Sequence, residues 1–212
     1  LNTDFLQEKG ESRYRRDLEI SASRGKVTDR NGDVLAISTP MKSIWAIPVD
    51  AKLNAQQTQL LAKVLDADPK ELARKLASDK GFVYLQRQVS PEVADRVVAL
   101  KLPGIHQNKE YRRYYPTGDM TAHMVGFTGV DDKGLEGVEL AFEKSLVGHA
   151  GSRSVIRDRK GQIVEDVGSI KLPQDGKDVR LALDSKIQYL AYSLLKQAVA
   201  DNKAKAGSVV VL

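Results

Sequence analysis

At Leu53 the hydrophobic pattern changes its period from two residues to 3.6, and this change constrains the fold more than any other feature of the chain. Before it lie short extended segments divided by turn residues. After it Leu53, Leu60, Leu61, Val64 and Leu65 make one apolar stripe of a helix that stops near Asp66. The pattern later returns to alternation and then to 3.6 again. Strand and helix segments arranged this way predict an α+β fold.

Upstream of the change, Asn31-Gly32 is the dipeptide favoured by a type I′ turn, in which both central residues take positive φ. With Val27 on one side and Val34, Leu35 and Ile37 on the other, it predicts a hairpin. Ser43 to Pro48 follows as a third extended segment after the Thr39-Pro40 break. Downstream, Asp68 as N-cap, Pro69 at the first helical position and Glu71 at the third open a helix carrying Leu72 and Leu76. Gly81 ends it, Phe82 to Val89 reads as a strand, and Ser90-Pro91-Glu92 caps a helix with Val93, Val97 and Leu100 that closes at Pro103-Gly104. Residues 50–104 are thus expected to form an inserted α/β lobe.

Tyr111 to Gly118 reads as extended and is broken by Pro116 and Gly118; its aromatic residues are expected to pack a sheet rather than form a ligand-binding ladder. A short amphipathic segment at Thr121 to Met124 precedes one helix carrying Leu135, Val138, Phe142 and Leu146. Residues 152–167 alternate around a Lys160-Gly161 turn, a second hairpin, and Asp178 to Leu183 is a further strand. Asp184 then caps the most regular helix, with Ile187, Leu190, Ala191, Leu194, Leu195 and Ala198 on one face. Gly207 to Leu212 is a run of apolar β-formers, the pattern of a strand buried on both faces, whose pairing partners are expected beyond Leu212.

Composition excludes several functions. With 42% hydrophobic and 29% charged residues the chain is ordinary globular protein, and no run of 18 apolar residues occurs. The first sixteen residues lack a signal-peptide h-region, so the chain reads as soluble, with any anchor lying before Leu1. Cysteine is absent, which removes disulfides, thiolate catalysis and Cys-ligated zinc. His106, His123 and His149 have no metal-ligand spacing, so neither a metal nor a cofactor is expected. A net charge of +5 points weakly to nucleic acid, but the cations are interspersed with carboxylates and aromatics are only 6%, so no nucleic-acid partner is expected.

Two Ser-x-x-Lys matches, Ser23 to Lys26 and Ser193 to Lys196, have the spacing that sets a lysine amine beside an activated serine. The first lies in an extended segment, where i and i+3 point to opposite faces, and the second on the polar side of a helix. No Ser-x-Asn or Lys-Thr-Gly completes a site, and no catalytic residue is assigned. For Arg24, Asp29 and Arg30 two readings stand open: a solvated hairpin face, or arginines that reach carboxylates such as Glu136 and Glu139 through bidentate hydrogen bonds.

Several stretches carry a resemblance. Arg24-Gly25-Lys-Val-Thr-Asp29-Arg30-Asn-Gly32-Asp-Val-Leu-Ala36 resembles the R-G-x-I-x-D-R-x-G-x-x-L-A motif of the non-catalytic module of class B penicillin-binding proteins. Arg112-Arg113-Tyr-Tyr115-Pro116-Thr-Gly118 with Thr121-Ala-His123-Met-Val-Gly126-Phe127 is similar to the second motif. Gly134-Leu-Glu136-Gly137-Val-Glu139 with Phe142-Glu-Lys144 is similar to the third. Asp158-Arg-Lys-Gly161 and Leu183 to Gln188 fall where the family has a D-R-x-G turn and the helix that opens its transpeptidase domain. The Arg-Arg-Tyr-Tyr-Pro form is most similar to the division-specific branch, the FtsI-type peptidoglycan D,D-transpeptidases.

The resemblance implies an elongated pedestal over residues 1–49 and 105–177, a head lobe over 50–104 and the start of a truncated transpeptidase domain over 178–212. It implies a polar core of Arg24, Asp29, Arg30, Glu136 and Glu139. It further implies a location on the periplasmic side of the bacterial inner membrane, held by a helix before Leu1, with the catalytic serine beyond Leu212. The implied partners are a SEDS-family glycan polymerase and other membrane-anchored division proteins. Peptide stems and β-lactams would be met only through the catalytic domain. The same module from an elongation-specific relative is the alternative.

Overall fold

A computed structural model describes residues 15–157 and 163–211. In chain order the elements are β1 (Arg15–Ile20), β2 (Val27–Thr28), β3 (Val34–Ala46), α1 (Ala55–Leu65), α2 (Pro69–Leu76), β4 (Val83–Val89), α3 (Pro91–Ala99), β5 (Ile105–Tyr114), α4 (Ala122–Val125), α5 (Gly137–Ala141), α6 (Glu143–Leu146), β6 (Gly151–Arg157), β7 (Ile163–Lys171), β8 (Val179–Arg180) and α7 (Ser185–Asp201). The class is α+β, as expected. The chain divides into two compact units, one of Leu1–Ala22, Thr39–Arg112 and His149–Gln174, the other of Ser23–Ser38, Arg113–Gly148 and Asp175–Leu212.

In the larger unit, the Lys42–Ala46 part of β3 pairs antiparallel with β4, and β5 pairs with β3. Helices α1 to α3 cover one face. Ile44, Ala46, Leu61, Leu65, Leu72, Leu85 and Val97 form the core between them. Each helix starts where its sequence supplies an acceptor for the orphan N–H groups of the first turn. Asn54 and Gln57 make a reciprocal capping box on α1, Asp68 accepts from the Lys70 N–H at 2.9 Å, and Ser90 accepts from Val93. Pro69 and Pro91 occupy the first helical position of α2 and α3. Leu60, expected on the buried stripe, is 52% exposed; the inward face is Leu61, Ala62 and Leu65.

A second sheet of the same unit has the order β1-β6-β7, all antiparallel. Its outer strand β1 pairs Arg15 with Ile156 and Ile20 with Gly151, a partner some 130 residues away that no local pattern announces. Strands β6 and β7 are the flanks of the expected second hairpin; its Lys160-Gly161 turn and the Asp158–Gly161 motif lie outside the described residues.

In the smaller unit, β2 pairs antiparallel with the start of β3, Val27 opposite Ala36, and parallel with β8, Val27 opposite Val179. Val27, Leu35, Ala36, Val125 and Leu146 make its core. The β2–β3 hairpin forms, but not through a two-residue type I′ turn. Only Gly32 takes positive φ (96°), and the loop is organised by Asp29, whose Oδ1 accepts the N–H groups of Asn31 (2.8 Å) and Asp33 (2.9 Å). An aspartate that bonds its own following backbone builds a wider turn than Asn-Gly alone.

Two further expectations are corrected in this unit. The single helix through Leu135 to Leu146 is two short ones broken at Phe142, with Leu135 and Phe142 on the surface. Gly207 to Val211 forms no strand, and Val209, Val210 and Val211 are exposed, because a strand is stabilised by a ladder partner and these residues have none among the described elements. Helix α7 is present as expected, yet Ile187, Leu190 and Leu194 of its apolar stripe are 47%, 59% and 58% exposed.

Candidate functional site

The smaller unit is fastened by a buried ionic knot. Glu139, on the first turn of α5, has a fully buried side chain and presents each carboxylate oxygen to a different arginine: Oε2 accepts Arg24 Nε at 2.7 Å, and Oε1 accepts Arg113 Nε at 2.7 Å. Arg24 makes three further bonds nearby. Its Nη2 donates to the Glu139 carbonyl (2.8 Å) and to Glu143 Oε2 (2.6 Å), and its Nη1 donates to the Asp132 carbonyl (3.0 Å). Arg113 Nη1 donates to Ser38 Oγ at 3.0 Å, and the Gly134 N–H donates to Glu143 Oε2 at 3.0 Å. A buried charge is tolerated only when its hydrogen bonds are filled in this way.

The electrostatics follow from that packing. Burial pulls the Arg24 guanidinium down, but its bonds to Glu143 and Glu139 outweigh this and hold it above its ordinary value. Burial pushes Glu143 up, and the bonds from Arg24 and the Gly134 N–H bring it below the usual carboxylate range. For Asp132 burial wins over the attraction of Arg24 and Arg113, and its carboxyl is pushed up to about 6. Burial likewise raises Tyr115, whose hydroxyl oxygen accepts the Thr128 N–H at 3.0 Å.

Glycines allow the backbones to close around the knot. Gly126 ends α4 at φ 73° and ψ −157°, a region open almost only to glycine. A Cβ there would overlap the Glu136 carbonyl, and a Cβ on Gly137 (φ 57°) would press on the Met124 carbonyl and the Gly126 nitrogen. The two short helices therefore meet backbone against backbone, which sets Glu139 at the depth where both arginines reach it.

A second fastening lies at the start of α7. Asp29 is buried, and its Oδ2 accepts the Ser185 N–H at 3.0 Å, while Asp184 caps the same helix through the Lys186 and Ile187 N–H groups and receives Asn31 Nδ2. Burial pushes the Asp29 carboxyl up, but the bonds from Ser185, Asp33 and Asn31 overcome it and hold it far below the usual range.

The structure brings Arg24, Arg113 and Glu139 together and sends other expected members elsewhere. Arg30 is exposed: its N–H donates to the Leu183 carbonyl (2.8 Å), its carbonyl accepts from Arg180, and it pairs with neither Glu136 nor Glu139. Glu136 is also exposed; at the head of α5 its main-chain carbonyl serves the helix, not its carboxylate. Asp29 stands apart from the knot, at α7. The Gly25 N–H donates to the Leu146 carbonyl at 2.9 Å, Gly32 is in the exposed hairpin turn, Pro116 and Gly118 lead from β5 into a 3₁₀ turn, and His123 is exposed on α4. Glu143 and Asp132 were not anticipated. Glu143 follows Glu139 by four residues, the spacing that would have put two carboxylates on one face of the single helix expected there, although the chain breaks at Phe142. Of the Ser-x-x-Lys matches, Ser23 Oγ donates to the Arg24 carbonyl, and the Lys196 ammonium stands 5.7 Å over the Tyr192 ring.

Fold and site define a module whose buried charges fasten three sequence-distant motifs to one another. Residues 19–181 match the penicillin-binding protein dimerisation domain, and the chain belongs to that family. It is 46% identical over 214 residues to the probable peptidoglycan D,D-transpeptidase PenA of Neisseria gonorrhoeae and 43% identical over 219 residues to the peptidoglycan D,D-transpeptidase FtsI of Escherichia coli. These alignments cover 99% and 100% of the chain and 37% of each relative, so the chain spans little more than a third of their length. The solved complex of penicillin-binding protein PBP2 with MreC from Helicobacter pylori contains the same fold, with a TM-score of 0.65 at 18% identity over 86% of this chain and 38% of that one.

Proposed function

We propose that the chain is the non-catalytic, periplasmic pedestal of a septal peptidoglycan D,D-transpeptidase, holding the catalytic domain in position and contacting a SEDS-family glycan polymerase and other membrane-anchored division proteins. The single observation that carries the reading is the double fastening: the Arg24–Glu139–Arg113 knot closes the motif region, and Asp29 holds the first N–H of α7, the helix that the family resemblance places at the entry to the transpeptidase domain. Gly25, Gly32, Tyr115, Pro116, Gly118 and His123, with the three glycines around Glu139, belong to the same scaffold. No helix among the described residues is long and apolar enough to cross a membrane; anchoring would be supplied by a helix preceding Leu1.

The test is a pull-down of the longer protein against division and elongation polymerases. Retention of the division polymerase, lost on Arg24→Ala with penicillin labelling of the catalytic domain unchanged, is the expected result. Preferential retention of an elongation polymerase overturns the septal assignment in favour of the second reading, the same module from an elongation-specific relative. The 212-residue chain itself is expected to leave a fluorescent penicillin unbound, and stoichiometric labelling would overturn its non-catalytic assignment.

A further inference from the structure

We infer that the Thr128–Gly134 hairpin is a proton-sensitive latch, with Asp132 as its titrating group and the spare donor of Arg113 as the place its carboxylate goes when charged. Thr128 and Gly134 bridge the hairpin's ends, and the Gly129 N–H donates to the Lys133 carbonyl at 2.8 Å. Two stitches tie it to the ionic knot: the Asp132 carbonyl takes Arg24 Nη1, and the Gly134 N–H goes to Glu143. Tyr115 holds the opposite strand at Gly134's end through the Thr128 N–H, and burial keeps its hydroxyl protonated well above neutral pH.

The charge count around this loop does not balance. Arg24 from the bend before β2 and Arg113 from β5 face Glu139 of α5, Glu143 of α6 and Asp132; Lys133 of the hairpin is exposed and acts on Glu143. Glu139 is saturated by both arginines, and Glu143 by Arg24 and Gly134. Asp132 engages its main chain but makes no side-chain hydrogen bond among the described residues, and it sits at φ 59°. With Asp132 protonated the charges of the knot cancel, two against two. When Asp132 releases its proton to solvent, a third carboxylate stands beside Glu139 and Glu143, and among the described residues the knot has one buried nitrogen still without a partner. That nitrogen is Arg113 Nη2. Turning to it draws the Asp132 main chain off Arg24 Nη1 and loosens the hairpin. Burial, which raises the Asp132 carboxyl to about 6, places the transition well above the ordinary carboxylate range.

The latch stands whether or not the pedestal reading holds, since its test uses this chain alone. With aspartate carboxyls labelled by ¹³C, the chain is titrated by NMR from about pH 4 to about pH 8, and protection of the Gly129 and Gly134 amides against hydrogen exchange is followed alongside. The expected result is an Asp132 midpoint near 6 and amide protection that falls across the same interval, by up to about a hundredfold, the limit set by a two-unit shift. In Asp132→Asn the protection stays at its low-pH level throughout. A midpoint near the ordinary 3.8, or the same protection profile in Asp132→Asn, overturns the proposal. If the variant does not fold, the wild-type chain decides: protection of Gly129 and Gly134 that stays constant through the Asp132 titration overturns the latch.

Discussion

Arg24 and Glu139 are separated by 115 residues and meet at 2.7 Å with both side chains fully buried. Because Glu139 also accepts from Arg113, its removal leaves, among the described residues, Arg113 without a carboxylate and Arg24 with Glu143 alone. Glu139→Ala is expected to destabilise the chain by about 3–5 kcal/mol, the usual result of breaking a buried pair from one side. Glu143→Gln, with 30% of its side chain exposed, should cost about 1 kcal/mol. Urea denaturation with an unchanged m-value measures both. A loss under about 1 kcal/mol for Glu139→Ala would show that the knot does not hold the unit together.

Arg24→Lys tests geometry separately from charge. An ammonium keeps the positive charge but lacks the planar fork that reaches Glu139, Glu143 and two carbonyls together. A loss of about 2 kcal/mol is expected, and wild-type stability in this variant would reduce Arg24 to a counter-ion.

Stability should fall in acid through Asp29. Its folded carboxyl lies below the unfolded value of 3.8, so its contribution is complete above that value and is lost as pH falls through the folded one. The local sign is earlier exposure of the Ser185 amide, read by hydrogen exchange as the pH is lowered. Asp29→Ala should expose that amide already at neutral pH, and an equally protected Ser185 in the variant would contradict the clamp.

Close approach and left-handed backbone can be told apart with three alanines. Gly118 has φ 50° and open space around its absent side chain, so Gly118→Ala pays the left-handed penalty alone, about 1 kcal/mol. Gly126→Ala and Gly137→Ala add collision with backbone and should each cost at least about twice as much. Equal thermal shifts for all three would show that the α4–α5 contact relaxes freely.

The sequence was legible where the signal is local. Asp68-Pro69 and Ser90-Pro91 state both the cap and the first helical residue, and α2 and α3 begin there. It was not legible where the partner is distant. Nothing near Arg15 indicates that β6 will be its neighbour, and nothing near Arg30 indicates that its main chain will be taken by Leu183 and Arg180 while its side chain stays in water. Asn31-Gly32 misled about turn type because Asp29 competes for the same backbone. Arg24 and Glu139 were named as candidates by motif, but which carboxylate each arginine takes is decided by the depth to which glycine contacts let α5 sink.

The apolar stripe of α7 contrasts with that buried chemistry. Leu190 and Leu194 are more than half exposed, so in this chain they bury too little surface for their loss to register. Leu190→Lys and Leu194→Lys should each change stability by less than about 0.5 kcal/mol. Leu35→Ala, by contrast, empties a fully buried site in the core of the same unit and should cost about 2–5 kcal/mol. Thermal melts of the three variants make the comparison. A large loss for either lysine would mean that the stripe is covered in solution, and sedimentation of the wild-type chain would then show whether a second copy covers it.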